Sequence, residues 1–179
     1  MRIAISGSFC VGKTSLVESL STALKGYETF SEPYHLMEED GHSFSHPPTV
    51  DEYEDQLNYL NSLISSSPSL SIFDRSPLDF LAFAKAQGED IDPSHWQELI
   101  TEEIDALDYI FYIPIEQPDR IEVPDEENLE FRGQVDEILH ELFNDSDELL
   151  GSARVVEISG DISQRVAQVL DHIAPANRS

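Results

Sequence analysis

Residues 7–14 read GSFCVGKT, which fits the pattern G-x-x-x-x-G-K-[ST] of a loop that binds phosphate. The residue types follow from the chemistry. Gly7 and Gly12 let the backbone curl, so that the N–H groups of Ser8, Phe9, Cys10 and Val11 turn toward phosphate oxygens. A helix opening near Lys13, with Ser15 in its first turn, adds the positive end of its dipole. Lys13 has the reach for β- and γ-phosphates, and the Thr14 hydroxyl suits Mg2+. A glycine turn before a helix would explain the glycines but not the lysine, in a chain whose only lysines are Lys13, Lys25 and Lys85. Cys10 at the crest reads as a small filler rather than a reactive thiol.

Two further places offer charge to the same cleft. The segment LSIFDRSP sets Asp74 and Arg75 at the end of an apolar run. Asp74 there is placed to hold a magnesium-bound water, and Arg75 to grip phosphate or a substrate oxygen. The alternative is an Asp-Arg pair that merely caps the helix starting at Pro77. In YETFSEPYH, Glu32 falls just after another apolar run, and Pro33 fixes the exit of the chain. A carboxylate at that position can take the proton of an attacking hydroxyl. His35, His42 and His46 follow in the same stretch, at spacings that match no metal-ligand pattern, and read as loop histidines.

The elements needed to bring these residues together are legible as alternation. Strand-like runs cover Arg2 to Ser6, Tyr27 to Ser31, Leu70 to Asp74, Asp108 to Ile113 and Arg154 to Ser159. LSIF and YIFYI are almost continuously apolar, as in parallel strands covered on both faces. Helical periodicity separates them: Leu16, Val17, Leu20 and Leu24 after the glycine loop, then Val50, Tyr53, Leu57, Leu60 and Ile64 within a helix from about Thr49 to Ser65. That stripe serves either the core or the seam of a homodimer. A last helix follows Asp161, with Ile162, Val166, Val169 and Ile173 on one side. This order predicts one α/β domain over residues 1–179, with a five-stranded parallel sheet between helices. Residues 32–48 and 114–128 are polar and aperiodic, and each follows a strand, at the edge where open parallel sheets bind ligands.

Composition narrows the classes. Ten Lys plus Arg against 36 Asp plus Glu give a net charge of -26. Such a surface repels nucleic-acid polymers and anionic membranes alike. No apolar run approaches the roughly 18 residues of a membrane span. A single cysteine excludes an internal disulfide, and the expected location is cytoplasmic. The guanine-reading motif N-K-x-D is missing, which favours ATP over GTP.

GSFCVGKT, SEPY, FDRSPLDFLAF, a fourth strand and an arginine-bearing loop together resemble the P-loop nucleoside and nucleotide kinases. The Glu-Pro and Asp-Arg-Ser elements are most similar to the deoxynucleoside kinases, and the size and spacing to the group that includes nicotinamide riboside kinases. The resemblance implies a three-layer P-loop fold with a lid at about 114–132 and ATP and Mg2+ as cofactors. It implies a small-molecule acceptor, with Glu32 as its general base, Arg75 on acceptor or transferred phosphate, and Asp74 near the metal. Gln56 matches a residue that hydrogen-bonds a substrate base, and Tyr34, Phe44, Tyr53 and Phe80 could stack on an aromatic ring, though at these spacings aromatics are more often core. Arg120 and Arg132 are the lid arginines of such a kinase, with Arg132 preferred as phosphate clamp. Gly160 and Asp161, in SGDISQR, lie where the adenine would sit. The lid is acidic (IEVPDEENLE), which suits the alternative of a P-loop ATPase or nucleotide-binding regulator.

Overall fold

A computed structural model describes residues 1–88, 90–124 and 128–173. Five strands are present among the described residues: β1 (Arg2–Ser6), β2 (Glu28–Phe30), β3 (Ser71–Asp74), β4 (Tyr109–Tyr112) and β5 (Arg154–Glu157). They form one parallel sheet in the order β2-β3-β1-β4-β5. Eight helices occur among the described residues: α1 (Lys13–Ala23), α2 (Pro33–Glu39), α3 (Val50–Ser66), α4 (Pro77–Ala86), α5 (Pro93–Ile104), α6 (Leu129–Asp145), α7 (Asp147–Leu150) and α8 (Ile162–Ile173).

The period-2 geometry of the strands divides their side chains between two cores. Ile3, Ile5, Ile72, Tyr109 and Phe111 face one side, where α1 and α8 supply Leu16, Leu20, Val169 and Ile173. Ala4, Phe73, Ile110 and Tyr112 face the other, covered by residues of α3, α4, α5 and α6. The result is the three-layer α/β arrangement expected from the alternation. The stripe on α3 belongs to this second core, with Leu57 and Ile64 fully buried. A helix face so occupied is not a seam. Phe80 is 1% exposed in the same core, which removes it from the aromatic side chains that could meet a ligand.

Local chemistry fixes the helix starts. Thr49 and Glu52 form a capping box at α3, with the Thr49 Oγ1 accepting from Glu52 N and the Glu52 carboxylate from Thr49 N. Asp161 and Gln164 exchange the same pair of bonds at α8, both 2.9 Å. Proline stands in the first turn of α2, α4 and α5. One of these starts corrects the sequence reading, because residues 32–48 are not loop throughout. Pro33 opens α2, whose seven residues are too short for their apolar spacing to register as periodicity. By contrast, residues 114–124 carry no helix or strand, and residues 125–127 of the expected lid lie outside the described residues.

The register carries the sheet to the site. Ile5 stands opposite Asp74, and Ser6 opposite Tyr112, so β1 ends between β3 and β4. Whatever follows Ser6 is therefore flanked by whatever follows Asp74.

Candidate active site

The loop after β1 is shaped by its glycines. Gly7 has φ 151°, and a Cβ there would come within 2.7 Å of the Ile113 carbonyl oxygen. Gly12 has φ 90° and enters α1 directly. Lys13 is 5% exposed and its Nζ donates to the Ser8 carbonyl at 2.5 Å, whereas Thr14 and Ser15 are exposed at the mouth of the loop. Burial, then the nearby Arg75, lowers the Lys13 pKa to about 8 against the pull of Asp74, Glu32 and Asp79. Three residues singled out in the sequence, Arg75, Asp74 and Glu32, thus stand near enough to act on the charge of Lys13, and Asp79 of α4 joins them.

Thr14 donates its hydroxyl to Asp74 Oδ2 at 2.7 Å. The other oxygen, Asp74 Oδ1, is buried without a hydrogen-bond partner. A buried, unpartnered carboxylate oxygen beside a hydroxyl is the donor set of a hard cation, and Mg2+ keeps most of its ligands as water and substrate phosphate. No group of three His, Cys, Asp or Glu that could hold a metal by itself occurs among the described residues. The pair thus fits a metal shared with a nucleotide, and no caged metal.

Arg75 forms the centre of the opposite wall. Its φ of 115° is unusual for a residue with a side chain, and its N–H is held by the Ile5 carbonyl at 3.0 Å. The guanidinium donates from Nε to Glu32 Oε2 at 2.8 Å and from one terminal nitrogen to the Gly7 carbonyl at 3.3 Å and to Asp79 Oδ2 at 3.4 Å. It also lies over the Phe83 ring, 4.8 Å from the centroid, and Phe83 stacks on Tyr53. Burial raises the Glu32 pKa, but Arg75, Lys13 and His35 outweigh it and hold the carboxyl below its usual value. His35 Nε2 stands 3.1 Å from Glu32 Oε1, so one of the supposed loop histidines is part of the wall. Asp79 is fully buried and accepts from the hydroxyls of Ser6 and Ser76; burial raises its pKa.

Gln56 is 3% exposed and donates to the Glu52 carbonyl of its own helix at 3.2 Å, a bond that uses one of its two amide N–H groups. Tyr34 stacks on Phe44 at 4.6 Å, both half-buried between α2 and the start of α3. Tyr53 is 5% exposed and core-packed, which leaves Tyr34 and Phe44 as the accessible aromatic pair of the four considered.

On the other flank, Arg132 sits in the first turn of α6, 4% exposed. It donates from Nε to the Phe9 carbonyl and from a terminal nitrogen to the Cys10 carbonyl, each at 2.9 Å, and from the other terminal nitrogen to Asp119 Oδ2 at 2.6 Å. In this geometry the arginine expected to reach phosphate grips the backbone of the loop instead. Arg120 is exposed and pairs with Glu116, which also accepts from the Gly160 N–H. Arg120 and Gly160 thereby border one open cavity with Gln164 and Ser159, while Asp161 caps α8 beside it. Arg165, which the sequence reading passed over, is 6% exposed and donates to the Val11 carbonyl at 2.6 Å. Its position one turn into a helix whose apolar stripe it shares was the available signal.

Comparisons with known proteins agree with this architecture. A family model described as an AAA domain matches residues 2–165. A comparison with curated proteins by sequence finds no match. Among solved structures, the chain is similar to YorR from Bacillus subtilis, described in complex with phosphorylated GDP, at 15% identity and TM-score 0.68, covering 100% of this chain and 99% of that one. It is similar to deoxyadenosine kinase from M. mycoides at 18% identity and TM-score 0.64, covering 98% and 100%. It also resembles thymidylate kinase from Candida albicans at 17% identity and TM-score 0.61, covering 98% and 92%. At these identities the likeness is one of fold.

Proposed function

The chain belongs to the AAA domain family, and from that premise we propose that it is an ATP-dependent small-molecule kinase that moves the γ-phosphate of ATP to a hydroxyl of a nucleoside, a nucleotide or a similar acceptor. The observation that carries this reading is the convergence of Lys13, the Thr14–Asp74 pair and the Glu32–Arg75 pair at one sheet edge. A plain nucleotide-binding loop requires the first two and has no use for the third. The names of the similar structures, thymidylate kinase and deoxyadenosine kinase, support the same acceptor class.

In this reading the acceptor hydroxyl approaches from the Glu32 side. Its oxygen forms a bond to the γ-phosphorus as the bond to the β–γ bridging oxygen breaks, and its proton passes to Glu32. The lowered pKa of Glu32 keeps it ionised, so its oxygens carry no proton when the acceptor arrives, and also makes it a weaker base. Arg75 orients that carboxylate and offers positive charge to the transferred group, while Lys13 holds the donor phosphates. Thr14 and Asp74 would hold Mg2+, which when bound neutralises charge on the β- and γ-phosphates. Residues 114–132 act as the lid of a single kinase unit, and Arg120, Gly160 and Asp161 border the base of the donor nucleotide. The site of action is cytoplasmic; no helix among the described residues is long and apolar enough to cross a membrane.

One observation favours a second reading, a P-loop ATPase or nucleotide-dependent regulator: the lid arginines are paired with lid carboxylates. ADP release from Mg-ATP, measured with and without a panel of nucleosides, nucleotides and nicotinamide riboside, separates the two. Acceptor-stimulated release with a phosphorylated product is expected. Release indifferent to every acceptor would overturn the kinase and remove the role given to Glu32.

A further inference from the structure

The carbonyls of residues 7 to 11 each accept a hydrogen bond from a cationic side chain. Gly7 bonds Arg75, Ser8 bonds Lys13, Phe9 and Cys10 bond Arg132, and Val11 bonds Arg165. Four of the chain's ten lysines and arginines are spent there, all four at most 7% exposed. Lys13 belongs to the loop itself and Arg75 to the acceptor wall. Arg132 and Arg165 approach from α6 and α8, on the side of the lid.

Arg165 is the least explained of the four. Its guanidinium is buried, and burying that charge is costly unless its donors are used. Yet its Nε has no partner, and its nearest carboxylate, Glu116, is 3.9 Å away. Its one short bond, at 2.6 Å, goes to Val11. A trans peptide points its C=O and N–H in opposite directions. Drawing the Val11 carbonyl toward α8 therefore turns the Gly12 N–H the other way, into the loop that Lys13 closes. There is no room for slack, because a Cβ on Gly12 would lie 3.1 Å from the same guanidinium nitrogen.

We propose that Arg165 is a positioning residue for nucleotide phosphate, which sets the Gly12 N–H of the phosphate loop by holding the Val11 carbonyl from behind. The proposal rests on the nucleotide-binding reading above. It also gives α8 a part in the site, through a residue that touches no substrate.

Calorimetric titration of the full chain with Mg-ATP and, separately, with inorganic tripolyphosphate tests it. Arg165→Met is expected to weaken both ligands by a similar factor, about tenfold, the size of one lost charge-assisted hydrogen bond. Arg165→Lys, which keeps a donor for Val11, should recover to within about threefold of the parent. A role in packing alone would give no such rescue and no match between the two ligands. Parent-like binding by Arg165→Met overturns the inference, as does a loss confined to ATP, which would put Arg165 on the base or ribose. If Arg165→Met does not fold, Arg165→Gln, which is polar but too short to reach the Val11 carbonyl, is expected to weaken both ligands by a similar factor, and parent-like binding by it overturns the inference. Failure of the unaltered chain to bind either ligand overturns the nucleotide reading itself, and the inference with it.

Discussion

Two sets of arginine–carboxylate contacts flank the phosphate loop, and they differ in access to water. On the acceptor side, the side chains of Arg75, Glu32 and Asp79 are 9%, 17% and 0% exposed. On the lid side each pair joins an exposed member to a buried one: Arg120 is 52% exposed against a Glu116 at 15%, and Asp119 is 33% exposed against an Arg132 at 4%. Where no member of a cluster stands far out in water, the charges must be neutralised by one another, so the first set is fixed architecture. A pair with one member in water can trade partners, so the second set is a contact that phosphate can replace. The same residue types thus give a rigid wall on one flank and an exchangeable clasp on the other.

Removing the cation from the wall should have the largest effect. Arg75→Met removes the main counter-charge of Glu32 and Asp79 and leaves them only Lys13, with His35 beside Glu32, and the expected loss of stability is about 3–5 kcal/mol. Arg120→Met on the lid should cost less than about 1 kcal/mol, the range of exposed pairs. Urea unfolding of the two variants checks the contrast. Similar losses would show that burial does not distinguish the flanks.

Glu32→Gln is the sharper test of what the wall is for. The amide still accepts from Arg75, so the loop and its nucleotide affinity should change by less than about threefold. Acceptor-dependent turnover should fall by about 10²–10⁴, the usual contribution of a general base. Single-turnover rates beside equilibrium binding separate the two quantities. Unchanged turnover would reduce Glu32 to a partner of Arg75.

The fold was legible because its signals are local. Continuous apolar runs marked β3 and β4, and the three-four spacing marked α3. Of the site, the residues near strand ends could be read: Asp74 ends β3 and Arg75 follows it, Glu32 comes just after β2, and Lys13 and Thr14 open α1 after the loop from β1, and a parallel sheet collects such positions along one edge. What could not be read are contacts set by helix rotation and loop path. Asp79 looks like an ordinary acid in a first helical turn until α4 is packed and it faces Ser6. His35 looks like loop until Pro33 starts α2. Arg132 was expected to reach for phosphate by analogy, and which way its guanidinium turns depends on where residues 114–124 run. Arg165 is marked in the sequence only by its place on the apolar stripe of α8, which shows that it is buried and not what it holds.

The lowered pKa of Lys13 supplies a pH test of intermediate size. Above about pH 8 the lysine of the empty site loses its proton, whereas bound phosphate favours the charged form. Nucleotide binding therefore takes up a proton there, and affinity should fall by up to about tenfold per pH unit above 8. Folding stability should move the opposite way. The unfolded lysine, with its ordinary value of 10.5, holds its proton longer than the folded one, so this group adds stability as pH rises from about 8 to 10.5. Affinity that stays flat from pH 7 to 9.5 would show that Lys13 keeps its charge despite burial.

The smallest effect belongs to the clasp, and its sign is what matters. Asp119 accepts from Arg132 at 2.6 Å and from the Ile121 N–H at 3.1 Å. Burial raises its pKa somewhat, but the bonds from Arg132 and the backbone outweigh that and hold it below the usual range, so the carboxylate stays charged throughout neutral pH. Asp119→Asn keeps an acceptor for Ile121 while removing the negative charge that competes with phosphate for Arg132. The Nε and second terminal nitrogen of Arg132 remain on the Phe9 and Cys10 carbonyls, so the loop keeps its shape. Mg-ATP should then bind about two- to fivefold more tightly, consistent with the 0.2–1 kcal/mol of an exposed pair. The gain should shrink with added salt, as screening weakens the competitor in the parent. Weaker binding by Asp119→Asn would reverse the assignment: the lid carboxylate would then be holding Arg132 in place for the loop, and both flanks would be fixed.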